Sequence, residues 1–255
     1  MSVAGGAWFA GLWAVYDKVF PAAASRRIRV EDYFRFGQRA ALEAITPAGD
    51  FYITSKGLTP RVDPKQWRLT IDGLVEKPLT LTLDEVRSLP ILERVLTLEC
   101  ISNPVGGPWI GNARWRGAAL RPLLEEARPR PQATHVMLHA ADGYFTNHSK
   151  DRIFREENFL AHEMNGELLP PDHGYPLRIF IPGKYGMKQP KWLTRIEFIS
   201  KDQPGYWEQR GWSETAERQT QGVIDTPQEG ARLTGDRILL AGRSEERRVG
   251  KECRL

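Results

Sequence analysis

Apolar and polar positions alternate in short segments along this chain, and the period of each segment predicts its element. Trp67 to Ile71 (WRLTI) and Leu79 to Leu83 (LTLTL) have period two and read as strands, the first ended by Gly73. Asp84 then reads as the N-cap of a short helix that Leu89-Pro90 closes. Arg94 to Glu99 (RVLTLE) is β-rich and delivers Cys100 at its end. Arg121 to Ala127 reads as a short helix after Trp115-Arg116-Gly117, and His135 to Ala140 (HVMLHA) as a strand before an Asp142-Gly143 turn. Asn158 to Met164 reads as a helix with Asn165-Gly166 as its stop or turn. Leu177 to Ile181 (LRIFI) reads as a buried strand closed by Pro182-Gly183, and Trp192 to Ile199 as a further strand. Upstream, Ser25 to Leu42 reads as an amphipathic helix anchored by Tyr33, Phe34 and Phe36. Ile45 to Gly57 is a Pro/Gly-bounded loop with a short β-like run at Phe51 to Thr54. Strands and short helices mix without a βαβ rhythm, so the class is α+β.

The two ends differ from this middle. Val3 to Tyr16 is apolar, Asp17 and Lys18 interrupt it, and Val19 to Ala24 resume it. A spanning helix needs about 20 apolar residues, so the uninterrupted run is short. Trp8, Leu12, Val15 and Val19 share one helical face, and Arg26, Arg27 and Arg29 flank it as basic residues do at a membrane surface. Three readings compete for residues 1–24: the remnant of a membrane anchor, an interfacial helix, or a helix packed on the domain. At the other end, Arg243 to Cys253 (RSEERRVGKEC) resembles the in-frame translation of a sequencing adapter, so residues 243–255 are read as a non-native tail or a charged tail and left out of fold reasoning.

Composition narrows the functional classes. The chain has 255 residues, enough for one large domain or two small ones with a sizeable core. Its 36 Lys+Arg and 32 Asp+Glu give a net charge of +4, interspersed without a basic stripe, which argues against a nucleic-acid binder. Two cysteines exclude a disulfide framework, a four-thiolate iron–sulfur cluster and a Cys₄ zinc site.

Two constellations carry chemistry. Cys100 sits at a strand end in LECISNPVGG, where Ser102, Asn103, Gly106 and Gly107 are loop-forming rather than core-forming. A lone buried cysteine is commonly a small hydrophobe, but a thiol in such a loop is also a candidate nucleophile or soft metal ligand. The nucleophile reading needs a positioned histidine, and His135, His139, His148, His162 and His173 are available. The second constellation, HGYPLRIFIPGKYGMKQPKW, runs from His173 to Trp192 and gathers His173, Arg178, Lys184, Lys188 and Lys191 around three glycines. Cations beside Gly-rich backbone suit a phosphorylated, multiply hydrogen-bonding ligand; the alternative is a basic surface loop. The spacing matches neither a Walker A loop nor a dinucleotide fingerprint.

Taken together, TLECISNPVGGPWIGNARWRG and HGYPLRIFIPGKYGMKQPKWLTRIE resemble the sulfite-oxidase-like family of molybdopterin-dependent oxidoreductases. ITPAGDFYITSKG and GYWEQRGW look like that family's leading loop and post-strand loop, and the resemblance runs from about Phe34 to Gly242. It implies the sulfite-oxidase-type molybdopterin-binding fold over residues 25–222 and the molybdenum–molybdopterin cofactor. Cys100 would then be both the catalytic thiolate and the one protein ligand to molybdenum, a soft donor for a metal that changes oxidation state. His173 and Arg178 match the family's His-Gly-x-Pro-x-Arg, whose His and Arg hold the pyranopterin and its phosphate. Lys191 matches the lysine after the glycine-rich loop. Gly186, Met187, Lys188 and Gln189 would wrap the cofactor through backbone groups, and Gly49, Phe51 and Tyr52 fall where the family's first cofactor contacts lie.

The resemblance implies oxygen-atom transfer to or from a small sulfite-like, sulfoxide or N-oxide substrate. Electrons would pass to or from an external cytochrome or membrane haem partner, with a location at the bacterial cell envelope; the alternative location is cytoplasmic. There are departures. Asn103 is followed by Pro104 and Val105 where sulfite oxidases carry an Asn-Arg-Arg run. Thr54 stands at the place of a leading-loop arginine, Trp212 at that of a pocket tyrosine, and the sulfoxide-reductase branch has Asn where His173 stands. Arg114, Arg116 and Arg210 are the candidate substitutes for the lost cations. Residues 223–242 look like the opening of an Ig-like dimerisation domain, so a homodimer is expected only with the rest of that domain. Two alternatives from other classes stay open: a cofactor-free binding module that keeps the fold, and a thiol hydrolase built on Cys100 and a histidine.

Overall fold

The computed structural model describes residues 45–227, 230, 232 and 241–245. The apolar segment 1–24, the helix expected over 25–42 and the tail beyond 245 lie outside the described residues.

Two five-stranded sheets and short helices make up the described domain. The first sheet has the order β2-β1-β10-β5-β6, built from β1 (Leu69–Gly73), β2 (Leu79–Leu81), β5 (His135–Ala140), β6 (Phe145–Ser149) and β10 (Leu193–Ile199). Its β1/β10 pair is parallel and its other pairs are antiparallel. The second sheet is antiparallel, with β3 (Ile91–Glu99) at its edge, then β4 (Ile110–Ala119) and β7 (Phe159–Met164). Both β8 (Glu167–Leu168) and β9 (Arg178–Phe180) pair with β7. The helices are α1 (Leu83–Ser88), α2 (Leu120–Ala127) and the one-turn α3 (Lys150–Ile153). A separate antiparallel hairpin joins β11 (Gln221–Thr226) to β12 (Ala241–Glu245). The first residues of the suspected tail, 243–245, therefore pair within that hairpin.

The second sheet is buried on both faces where it matters. Ala118, Leu160 and Ile179 enter one core with Leu69, Ile71, Leu123, Leu124 and Ile196. Their strand neighbours Ala113, Trp115, Phe159, Ala161 and Phe180 enter a second core with Phe51 and Leu98. A strand buried on both faces carries a continuous apolar run rather than an alternating one. This corrects the helix expected at Asn158 to Met164. That segment is β7, and its run FLA feeds both cores. Asn165-Gly166 is not a helix stop but a hairpin turn, with φ of 55° and 88°. The pattern also missed β4 and β6. In β4 the outward residues Arg114 and Arg116 break the apolar count, and β6 is polar yet buried at Thr146, Asn147 and His148.

Two smaller differences follow from local hydrogen bonding. The N-cap of α1 is Thr82, not Asp84, because Thr82 and Glu85 form a reciprocal capping box. Phe51 to Thr54 forms no strand; it is a loop docked on β4, with its backbone outside any ladder. Among the described residues no helix is long and apolar enough to cross a membrane.

Candidate active site around Cys100

Four chain segments meet at the end of β3. The leading loop is pinned to β4 first. Thr46 N–H donates to Asn112 O at 2.6 Å, Asn112 N–H donates to Thr46 Oγ1 at 3.1 Å, and Asn165 Nδ2 donates to Thr46 O at 2.9 Å. Phe51 is 3% exposed and lies over Gly111, where a Cβ would approach the ring to 2.6 Å. Only glycine at that point lets the loop lie flat on the strand. Phe51 also meets the edges of Trp115 and His173 and stacks on Tyr52. Gly49 is exposed at the rim.

Cys100 leaves β3 into a loop closed by its own polar groups. Its N–H donates to Trp109 O at 2.8 Å, and its carbonyl accepts from Asn103 N–H at 2.9 Å. Asn103 Oδ1 accepts from Trp109 N–H, and Asn103 Nδ2 donates to Glu99 Oε1 at 3.0 Å. Burial pushes the Cys100 thiol up, and Glu99 adds to this. Hydrogen bonds from the Ser102 N–H and hydroxyl, and from Thr54, oppose it. A raised thiol is a weak nucleophile at neutral pH, which disfavours the hydrolase alternative, whereas a bound metal would remove the proton outright.

The basic loop supplies the third wall. Gly174, at φ 116°, sits against Arg178 and Lys191; a Cβ there would lie 3.0 Å and 3.2 Å from their Cβ atoms. His173 Nε2 donates to Ala48 O at 3.0 Å, so the ring carries its proton there and presents Nδ1 as an acceptor. Burial, with Arg178 and Lys191 nearby, holds His173 at about 4, so it is neutral at pH 7. Arg178 is 3% exposed; it donates once, to His173 O at 3.1 Å, and spans the Trp115 and Phe180 rings. Lys191 Nζ donates to Asp172 O at 2.8 Å and sits 4.4 Å from the Trp192 ring centre. Burial first, then Arg178, brings Lys191 down to about 7.

The segment Gly186–Lys188 joins this loop to the Cys100 strand. A Cβ on Gly186 would lie 3.4 Å from Tyr52 Oη and 3.5 Å from Glu99 O, so its backbone lies against both. The Tyr52 phenol is buried and raised well above its usual value, with Cys100 adding to the effect and Arg178 opposing it. The side chains of Lys188 and Gln189 point away from this centre. Lys188 Nζ pairs with Glu208 and donates to Asn147 Oδ1 at 2.6 Å, and Gln189 bridges Ile181 N–H and Lys184 O. Tyr144 and His148 hold the carbonyls of Met187 and Lys188 at 2.6 Å and 2.8 Å. What Gly186, Met187, Lys188 and Gln189 offer to the site is therefore backbone.

These residues fit an anionic, metal-bearing cofactor. Arg178 Nε is buried and has no hydrogen-bond partner, a costly state that an anionic ligand relieves. Among the described residues no three His, Cys, Asp or Glu side chains gather to hold a metal. A metal at Cys100 has one protein sulfur, and its other ligands must come from a non-protein group.

Two of the three candidate replacement arginines lie well along the sheet from Cys100. Arg114 faces Val95 across the ladder, five residues from Cys100, or about 17 Å along the strand. Arg116 faces Glu93, about 23 Å away by the same spacing. Both are tied in surface ion pairs, to Glu93 and Glu163. Arg210 folds over the Tyr206 ring, and Trp212 stacks on Trp207. Sequence reasoning noted Glu99 beside the cysteine but missed Arg218 and Gln221, which reach the Cys100 strand from about 120 residues away.

A free cysteine at a strand end and a buried cation without a full set of partners are features that a bound anionic cofactor could use. Comparison with known proteins identifies which one. The chain belongs to the oxidoreductase molybdopterin binding domain family, whose model matches residues 56–207. It is 35% identical over 150 residues to YuiH, an uncharacterised oxidoreductase of Bacillus subtilis, covering 59% of this chain and 74% of that protein. It is 32% identical over 231 residues to the mitochondrial sulfite oxidase of Drosophila melanogaster, covering 75% of this chain. The chain spans 40% of that sulfite oxidase. The fold is that of the sulfane dehydrogenase SoxCD from Paracoccus pantotrophus, with a TM-score of 0.66, 23% identity, and coverage of 75% of this chain and 55% of that one. The protein is thus a molybdopterin-dependent oxidoreductase of the sulfite-oxidase type, with an α+β fold.

Proposed function

We propose that the chain catalyses oxygen-atom transfer to or from a small substrate, of the sulfite-like, sulfoxide or N-oxide kind, and exchanges electrons with an external cytochrome or membrane haem. The observation that carries this reading is the buried, unpartnered Arg178 Nε beside His173 and Lys191, on a loop whose Gly186 backbone lies against Glu99, the residue before Cys100. When bound, the molybdenum cofactor supplies a two-electron centre able to give or accept an oxygen atom. Cys100 provides its protein sulfur from the rigid end of β3. Arg178 and Lys191 hold its anionic part, Arg178 by charge and Nε–H, Lys191 by an ammonium that is protonated below about pH 7 in the empty site. His173, neutral, offers Nδ1 to a donor on the pterin. Gly186 to Gln189 contribute backbone groups, and Phe51 and Tyr52 exclude water from the thiol's far side. Gly49, at the rim, contributes backbone alone. The relatives named sulfite oxidase support an oxyanion substrate, and the apolar run at residues 3–16 supports a site of work at the cell envelope.

The test is a dye-coupled assay of protein matured with cofactor synthesis, comparing sulfite oxidation with reduction of sulfoxides and N-oxides. About one molybdenum per chain and turnover of one of these substrates, lost in Cys100→Ser, is the expected result. Matured protein without molybdenum would support a cofactor-free binding module instead, and full activity in Cys100→Ser would overturn the role of the thiol.

A further inference from the structure

Residues 215–221 run across both motifs without belonging to either. The segment lies on the basic loop first: Tyr185 N–H donates to Ala216 O at 3.0 Å, and Arg218 N–H donates to Gly183 O at 2.9 Å. Lys184 Nζ donates to Thr215 O at 2.7 Å and pairs with Glu217 at 2.6 Å, and Gln219 N–H donates to Tyr185 Oη at 3.3 Å. The segment then reaches β3. That strand is at the sheet edge, and Arg218 Nη1 covers it by donating to Thr97 O at 2.8 Å. At its end, Gln221 Nε2 donates to Glu99 Oε1. Glu99 is 1% exposed and precedes the thiol residue; the same oxygen accepts from Asn103, which closes the Cys100 loop.

We propose that residues 215–221 act as a clasp that fixes Cys100 relative to the 183–189 loop, with Gln221 as a positioning residue for the thiol. The metal-ligand part of this inference rests on the function proposed above. The physical basis is that the Cys100 loop closes on itself through Asn103 but is tied to the rest of the domain at Glu99. Two of the segments that meet at the site have no covalent link shorter than about 80 residues, so their spacing depends on non-covalent ties. A hydrogen bond to a buried carboxylate is the strong kind, and a sub-ångström shift of a ligating sulfur changes metal–sulfur overlap. The clasp ends at Gln221, the first residue of β11.

The test uses the full chain, loaded and unloaded, as wild type, Gln221→Leu, and the exchanged pair Glu99→Gln with Gln221→Glu. The exchanged pair keeps one amide donor and one carboxylate acceptor, so the bond is re-formed with its polarity reversed. In unloaded protein, Gln221→Leu should raise amide exchange over residues 100–109 about tenfold, the equivalent of losing one charge-assisted hydrogen bond. In loaded protein it should displace the sulfur-to-metal charge-transfer band, and the exchanged pair should restore both readouts. Unchanged exchange in Gln221→Leu overturns the clasp. Raised exchange with an unmoved band overturns the positioning role, as does an exchanged pair no better than the single variant. If loaded wild type contains no molybdenum, the proposed function fails, and the exchange experiment still decides the clasp.

Discussion

Arg178→Met separates a residue kept for a ligand from one kept for the fold. Arg178 is buried and held at about 10 rather than 12.5, chiefly by burial, with Tyr52 opposing. That depression corresponds to about 3 kcal/mol against the charged form. The penalty acts at every pH below about 10, where Arg178 is charged both folded and unfolded. Against it stand contacts with two aromatic rings, at about 2 kcal/mol each when desolvated, and one hydrogen bond to His173 O, worth about 1 kcal/mol. The balance favours the arginine by about 2 kcal/mol, so the cofactor-free variant should unfold within about 2 kcal/mol of wild type, or within about 8 °C in Tm for a domain of this size. The loaded protein should behave differently. Losing a charge-assisted contact to an anion costs about 1.5–3 kcal/mol, so cofactor affinity should fall at least about tenfold. Calorimetry on protein made without cofactor synthesis, beside molybdenum content after synthesis, measures both. A loss above about 3 kcal/mol in the cofactor-free state would mark a structural counter-charge instead, and full molybdenum retention would refute the anion-binding role.

Other consequences can be tested with denaturants. Lys188→Met strands the fully buried Glu208 carboxylate with Thr146 as its remaining donor and should cost about 3–5 kcal/mol in urea unfolding; Lys188→Met with Glu208→Leu should recover most of it. Gly111→Val would drive a side chain into the Phe51 ring and should cost about 1–3 kcal/mol, with faster proteolysis at Lys56 as the leading loop lifts. His173 and His148 are held neutral, near 4 and 3, against 6.5 in the unfolded chain. As pH falls through 6.5 the unfolded chain binds two protons that the folded one refuses. Stability should then drop by up to about 2.7 kcal/mol per pH unit between about pH 6 and pH 4. Urea titrations across that window in wild type and His148→Gln should show a shallower slope in the variant; identical slopes would contradict the assignment.

The sequence was most legible where local chemistry decides structure. The strand ending at Cys100, the Asp142-Gly143 turn and the helix at Arg121 to Ala127 follow from periodicity and turn residues within a few positions. The grouping of the basic loop was legible because Gly174 sits among cations, and the structure gathers His173, Arg178 and Lys191 around it. What failed was whatever needed a distant partner. Phe159 to Met164 became a strand because β4 and β9 flank it and both its faces are covered, which no local period reveals. Lys188 was expected to serve through its backbone, and the pairing of its side chain with Glu208, twenty residues on, was not visible locally. Glu99 was visible as a polar neighbour of Cys100, but its pairing with Gln221, 122 residues away, is invisible until the chain folds.

The central claim is that Cys100 is the protein's sulfur ligand to molybdenum. X-ray absorption at the molybdenum edge of the loaded chain, compared with loaded Cys100→Ser, tests it most directly. The account predicts a sulfur scatterer present in wild type and replaced by an oxygen scatterer in the variant. An identical sulfur shell in both proteins would contradict it.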